Sequence, residues 1–170
     1  MLTIRTAVTA DAPCLWDAER RTATSPGLLA SRPGEIPVES FEAKIDELVA
    51  SGHYVVAEID GRPVGHALLE PAGHLAAISH VFFLTIVVHP GMTGRGIGSA
   101  LMSHLLAWAT ADARVTKVEL RVRSTNARAV ALYRKFGFVE EGRLRRRLRL
   151  EDGSFIDDIA MAWFPSADAG

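Results

Sequence analysis

Thr93-Gly94-Arg95-Gly96-Ile97-Gly98-Ser99 carries the strongest chemical signal in this chain of 170 residues. Three glycines alternate with other residues between a long apolar run and an apolar helical pattern. Glycines spaced this way let successive backbone N–H groups turn toward one point, and a helix start adds the positive end of its dipole. Such a nest binds a phosphate or pyrophosphate, and Arg95 adds a charge-assisted contact. The bland alternative is a tight strand-to-helix turn that binds nothing. A Walker loop, with Gly-Lys-Ser/Thr after four spacers, is absent. The dinucleotide fingerprint is met only in part, because Ser99 stands where its third small residue belongs. A hairpin and a long strand also precede the segment, rather than a single opening strand.

A second segment reads Asn126-Ala127-Arg128-Ala129-Val130-Ala131-Leu132-Tyr133-Arg134-Lys135-Phe136-Gly137-Phe138. The stretch VVHPGMTGRGIGSAL resembles the acyl-CoA loop of the GNAT superfamily of N-acetyltransferases. The second segment resembles that family's N-x-x-A-x-x-L-Y-x-K-x-G-F signature, at the family's usual separation. The resemblance covers residues 2–164 and lies toward bacterial amino-acid and ribosomal-protein N-acetyltransferases. Within that group, His80-Val81, Val118-Glu119-Leu120 and the late DGSFIDD stretch resemble small-molecule amino-acid acetyltransferases.

The resemblance implies a set of roles. The backbone of Ile86, Val87 and Val88 would bond the pantetheine arm of acetyl-CoA like an added strand. The amides of Gly94, Arg95, Gly96, Ile97, Gly98 and Ser99 would hold its pyrophosphate. Asn126 would bond the arm near the thioester, and Tyr133 would protonate the leaving thiolate. A phenol titrates near 10, so it is a neutral acid at pH 7. Taken without its motif, Tyr133 reads first as a core ring on a helix with its hydroxyl satisfied. A backbone N–H of the 84–88 strand would stabilise the oxyanion, a contact worth about 3 kcal/mol.

The general base is missing from both usual places. Relatives carry an acidic residue where this chain has Phe83, or a glutamate where it has Arg121. Glu119, on the same strand face as Arg121, is a candidate, and a solvated or paired residue is its plainer reading. Glu70, His80 and His89 are further options, as is a water chain. The six histidines show no zinc spacing and there is one cysteine, so no metal is expected. No nucleophile elbow is present, which fits direct transfer. Cys14 reads as a small buried apolar residue.

These residues need elements to position them. Residues 2–7 read as a strand, followed by a helix capped by Thr9 that turns Leu15 and Trp16 inward. Residues 22–37, rich in proline and glycine, form a loop of functional length. A second helix buries Val38, Phe41, Ile45, Leu48 and Val49. Residues 53–59 and 62–70 form a hairpin through Asp60-Gly61. The run 78–88 predicts a central strand covered on both faces. A helix over 98–113 follows, with Ile97, Leu101, Leu105 and Trp108 on one stripe. A strand at 116–122, a helix at 126–136 ending at Gly137, and two strands joined near Asp152-Gly153 complete the order. The fold class is α/β: one domain, a mixed and mostly antiparallel sheet, with helices on both faces. The tail, 165–170, is expected to fray.

Composition agrees with one globular domain, at 48% hydrophobic, 23% charged and net charge −1. It excludes wholesale disorder and a general nucleic-acid binder. The chain opens without a signal-peptide pattern and holds no apolar run long enough for a membrane span, so the cytoplasm is the expected location. In RLRRRLR, at 143–149, Arg143, Arg145, Arg147 and Arg149 alternate with Leu144 and Leu148, as on a strand with one basic face. That face is either solvated, attractive to an acidic substrate or the CoA phosphates, or a nucleic-acid contact.

The expected function is direct, acetyl-CoA-dependent N-acetyl transfer to a small primary amine, with amino acids first. The alternatives are a protein N-terminal or lysine acetyltransferase, a CoA-binding module without turnover and, more distantly, a dinucleotide oxidoreductase. A homodimer is an option that the resemblance leaves open.

Overall fold

The computed structural model describes residues 1–165, so most of the tail expected to fray lies outside the described residues. Seven strands form one sheet: β1 (Leu2–Thr6), β2 (His53–Ile59), β3 (Arg62–Pro71), β4 (Val81–Val88), β5 (Lys117–Arg123), β6 (Val139–Arg149) and β7 (Phe155–Trp163). The spatial order is β1-β2-β3-β4-β5-β7-β6. Every neighbouring pair is antiparallel except β4 and β5. The helices are α1 (Ala12–Thr22), α2 (Val38–Ser51), α3 (Ile97–Ala111) and α4 (Ala127–Lys135). Among the described residues, no helix is long and apolar enough to cross a membrane.

The sheet is covered on both faces because its strands alternate two apolar sets. One core joins Leu69, Phe82, Leu84, Leu120 and Met161 to Ile97, Leu101 and Leu105 of α3 and to Val130 and Tyr133 of α4. The other joins Tyr54, Val56 and Leu68 to Leu15 of α1 and to Phe41, Ile45 and Leu48 of α2. Gly65 permits the close approach of α3, since a Cβ there would meet Ile97 Cγ2 at 3.0 Å and Leu101 Cδ1 at 3.1 Å.

Several local expectations change. A 3-10 turn at Thr9–Asp11 precedes α1, and the Asp11 carboxylate, not Thr9, accepts the Val8 N–H at 2.8 Å. Cys14 is exposed, because the buried stripe of α1 runs through Ala12, Leu15 and Ala18. Val49 also points outward, off the stripe of Phe41, Ile45 and Leu48. The central strand begins at Val81 rather than 78, since Ala76–Ile78 close a turn through Ser79.

The basic strand is not a simple alternation. The β6–β7 register shifts between Leu144 and Leu148, and Arg146 takes φ +52°. This bulge splits the arginines. Arg143 reaches Asp157 at 3.4 Å, and Arg146 lies 4.1 Å over the Phe155 ring. Arg147, Leu148 and Arg149 all line the cleft described next.

Candidate active site

Strands β4 and β5 pair at only three positions, Val81 with Lys117, Phe82 with Val118 and Phe83 with Glu119. Both strands then continue without pairing, to Val88 and Arg123. The sheet splits there and a cleft of about 1590 Å³ opens. Its walls are Phe83–Val88 of β4, Arg121–Arg123 of β5, the starts of α3 and α4, the segment 22–33 after α1, and the tip of the β6–β7 hairpin.

Backbone direction along β4 follows from its bonds to β3. His89 N–H donates to Val64 O, and Ala72 N–H donates to Val81 O. Antiparallel pairs alternate, so odd-numbered residues of β4 spend their backbone groups on β3. Leu84, Ile86 and Val88 therefore turn N–H and C=O toward the split. Val87, placed opposite His66, turns its own to β3, so it lines the cleft without offering backbone bonds. A buried strand edge needs partners for its polar groups. A peptide-like chain laid in the split would supply them.

The glycine segment meets this edge at one end. Gly94 and Gly96 take φ +85° and +77°, a conformation natural to glycine, and Gly96 caps α3. The first helical bond runs from Ala100 N–H to Gly96 O. The N–H groups of Ile97, Gly98 and Ser99 are thus unspent at a helix N-terminus facing the cleft. A Cβ on Gly98 would stand 3.2 Å from Leu132 Cδ2 and 3.6 Å from Val88 Cγ2, so its bareness keeps the passage open. Arg95 is exposed and is not part of the cleft wall. A guanidinium nitrogen of Arg128 instead lies 3.5 Å from the Cβ position of Gly94. The sequence signal for Arg128 is faint: one basic residue in the first turn of a helix.

Asn126 caps α4, its Oδ1 accepting the Ala129 N–H at 3.2 Å. Tyr133 is buried on α4, its ring 5.8 Å from that of Phe138, and it lines the cleft. Burial pushes its phenol up to about 12, against a smaller downward pull from Arg123. Phe83 and Arg121 stand in the wall.

None of the four base candidates reaches the cleft wall. Glu119 accepts from Lys117 at 2.8 Å, and Glu70 accepts from Lys44 at 2.5 Å. His80 is exposed ahead of β4, and His89 is buried against His66. The buried carboxylate in the wall is Asp158 of β7, paired with Arg123 of β5. Sequence reasoning missed both. The available signal was an aspartate on the apolar alternation of FIDDIAMAW.

Residues 19–138 match the acetyltransferase (GNAT) family. The chain is 35% identical over 108 residues to the L-amino acid N-acetyltransferase AaaT of Escherichia coli, covering 64% of this chain and 65% of that one. It is 40% identical over 98 residues to the N-alpha-acetyltransferase RimI of Mycobacterium tuberculosis, covering 58% and 59%. The match thus spans less than two thirds of the length of both. A solved GNAT acetyltransferase from Streptococcus pneumoniae superposes with a TM-score of 0.89 at 27% identity, covering 96% of this chain and 99% of that one.

Proposed function

The chain belongs to the acetyltransferase (GNAT) family, and on that premise we propose that it transfers an acetyl group from acetyl-CoA directly to the primary amine of a small molecule, an amino acid first. The carrying observation is the split between β4 and β5. It leaves the backbone of Leu84, Ile86 and Val88 unpaired beside the open N-terminus of α3.

The residues fit the donor. Ile86 and Val88 bond its peptide-like arm. The amides from Gly94 to Ser99 take the pyrophosphate, with Arg128 adding charge over Gly94. The amide nitrogen of Asn126, left over by the cap, donates to the arm near the thioester. Acetyl-CoA supplies an activated acyl group on a thiol leaving group.

The two substrates enter from opposite faces of the sheet. The starts of α3 and α4 build the donor side. The other side lies between the 22–33 segment and the hairpin tip, where a Cβ on Gly27 would meet Thr125 Oγ1 at 3.0 Å and Ile156 Cδ1 at 3.1 Å. A neutral amine nitrogen attacks the thioester carbon while a β4 amide, Leu84 or Ile86, donates to the developing oxyanion. As the C–S bond breaks, Tyr133 gives its proton to the sulfur. The amine's own surplus proton leaves through water in the open cleft, and Tyr133 recovers its proton from that water. Glu119, held by Lys117, does not take it.

Charge favours an acceptor bearing a carboxylate. Among the described residues, Arg32, Arg121, Arg147 and Arg149 line the cleft with no carboxylate within ion-pair distance. The similarity to RimI keeps a protein N-terminus as the second reading. The test is thiol release from acetyl-CoA with a panel of amino acids and polyamines beside one of peptides with free N-termini. Release on amino acids supports the proposal. Release on peptides alone moves the acceptor to a protein, and binding without release on either panel makes the chain a silent CoA module.

A further inference from the structure

Behind the cleft runs a chain of three hydrogen bonds that the acyl-transfer reading does not use. Glu19 Oε1 lies 3.0 Å from His66 Nε2, and His66 Nδ1 lies 3.0 Å from His89 Nε2. His89 Nδ1 lies 3.2 Å from Pro63 O. His66 is wholly buried and His89 nearly so.

The hydrogens can be counted along this chain. A carbonyl oxygen only accepts, so His89 Nδ1 carries a hydrogen and donates it to Pro63 O. Burial, and then the neighbouring His66, lowers His89 to about 4, which leaves its Nε2 bare at neutral pH. His66 Nδ1 must therefore donate to His89. An ionised carboxylate also only accepts. A neutral His66 would then aim a lone pair at Glu19 across 3.0 Å. With His89 neutral, the chain closes only with one further proton, placed on His66 Nε2 or on the Glu19 carboxyl.

We propose that Glu19 and His66 hold one proton between them at neutral pH, and that it pins helix α1 to the turn leading into the glycine nest. Both are positioning residues. Glu19 sits in the last turn of α1, just before the chain leaves to form the 22–33 wall. His89 follows directly on Val88, and its carbonyl accepts the Met92 N–H that shapes the turn toward Gly94. The bond chain thus ties one wall on the acceptor side to the donor site.

Few other charges face the pair. Glu19 and Arg21 come from α1, and His89 from the end of β4. From β2 comes Tyr54, its ring 6.0 Å from that of His66. Burial holds the Tyr54 phenol far above its ordinary range, so it stays neutral, and the charges of Glu19, Asp11 and Glu70 push the same way. The folded chain binds the shared proton, so the stability it confers is present at low pH and lost as pH rises. His89 has the opposite sign, which separates the two effects.

Glu19→Gln is the decisive variant. Its amide nitrogen donates to a neutral His66, closing the chain without the proton. Melting temperature and acetyl-CoA affinity are measured for wild type and E19Q from about pH 6 to about pH 9. Nitrogen NMR on the wild type reads His66 and carbon NMR reads Glu19. The wild type should lose melting temperature and weaken several-fold toward acetyl-CoA as pH rises, while E19Q stays flat. The spectra should show a doubly protonated His66 or a protonated Glu19. E19Q tracking the wild type would overturn the proposal, as would a singly protonated His66 beside an ionised Glu19. If E19Q does not fold, the wild-type spectra decide alone. Melting and NMR do not depend on turnover, so the failure of the acetyl-transfer reading would stay distinguishable.

Discussion

Arg123 of β5 and Asp158 of β7 form an ion pair at the edge of the split, with side chains only 10% and 4% exposed. The two residues stand opposite each other in the β5–β7 ladder, which fixes their separation. Arg123 also bonds back to the carbonyl of Arg121, on the side where β5 lacks a neighbour. The pair thus finishes the edge that the split exposes. Each partner is held in place by the charge of the other.

Removing one partner leaves a buried charge uncompensated. Asp158→Ala should cost about 3–5 kcal/mol, while Arg123→Met with Asp158→Leu together should cost much less. Denaturant melts of Asp158→Ala and of the double variant measure the difference. A double variant as unstable as Asp158→Ala would deny the pairing any role.

Tyr133→Phe should lower kcat about 10²-fold, with little change in acetyl-CoA affinity or melting temperature. The phenol is pushed up to about 12, so it stays protonated throughout the working range. The wild-type rate should climb as the acceptor amine loses its proton, with no fall attributable to Tyr133 below about pH 10. A descending limb near neutrality that vanishes in the Phe variant would contradict this role.

The glycines of the nest should separate stability from affinity. Gly96 takes φ +77° with open space around it, so Gly96→Ala should cost about 1–2 kcal/mol through backbone strain alone. At Gly98, with Leu132 and Val88 already close, a valine side chain narrows the donor passage itself. Gly98→Val should weaken acetyl-CoA binding about tenfold or more, a loss of about 1.4 kcal/mol. Calorimetry beside thermal melts reads the two effects separately.

His89 makes the fold sensitive to acid. Its proton affinity in the folded chain is lowered to about 4, chiefly by burial. Between the ordinary value near 6.5 and that lower one, the unfolded chain binds the proton more readily. Stability should therefore fall by roughly 2–3 kcal/mol as pH drops through that window. His89→Gln should flatten this acid limb, as read by urea melts at several pH values.

Much of the fold was legible because burial on two faces imposes clear periods. The apolar run through Phe82 and Leu84, the Asp60-Gly61 hairpin and the stripe of Leu101 and Leu105 all fell within a few residues of their observed elements. Turn chemistry was less legible. Asp11 replaced Thr9 at the start of α1 because the bond depends on where the chain bends. The basic strand misled because a bulge at Arg146 is invisible to alternation. At the site, Gly94 and Gly96 stood out by residue type and spacing, and Asn126 and Tyr133 through the family resemblance of the segment that holds them. Arg123, Asp158 and Arg128 did not, since their partners are distant in sequence. The backbone direction of Val87 depends on its register with β3, which no local pattern encodes.

The account turns on a chain adding to the split edge of β4, and amide exchange measured residue by residue with and without acetyl-CoA tests that most directly. Acetyl-CoA should slow exchange at Ile86, Val88, Gly98 and Ser99. Val87, already bonded to β3, should be unchanged. No protection at Ile86 and Val88, with or without binding elsewhere, would contradict the account.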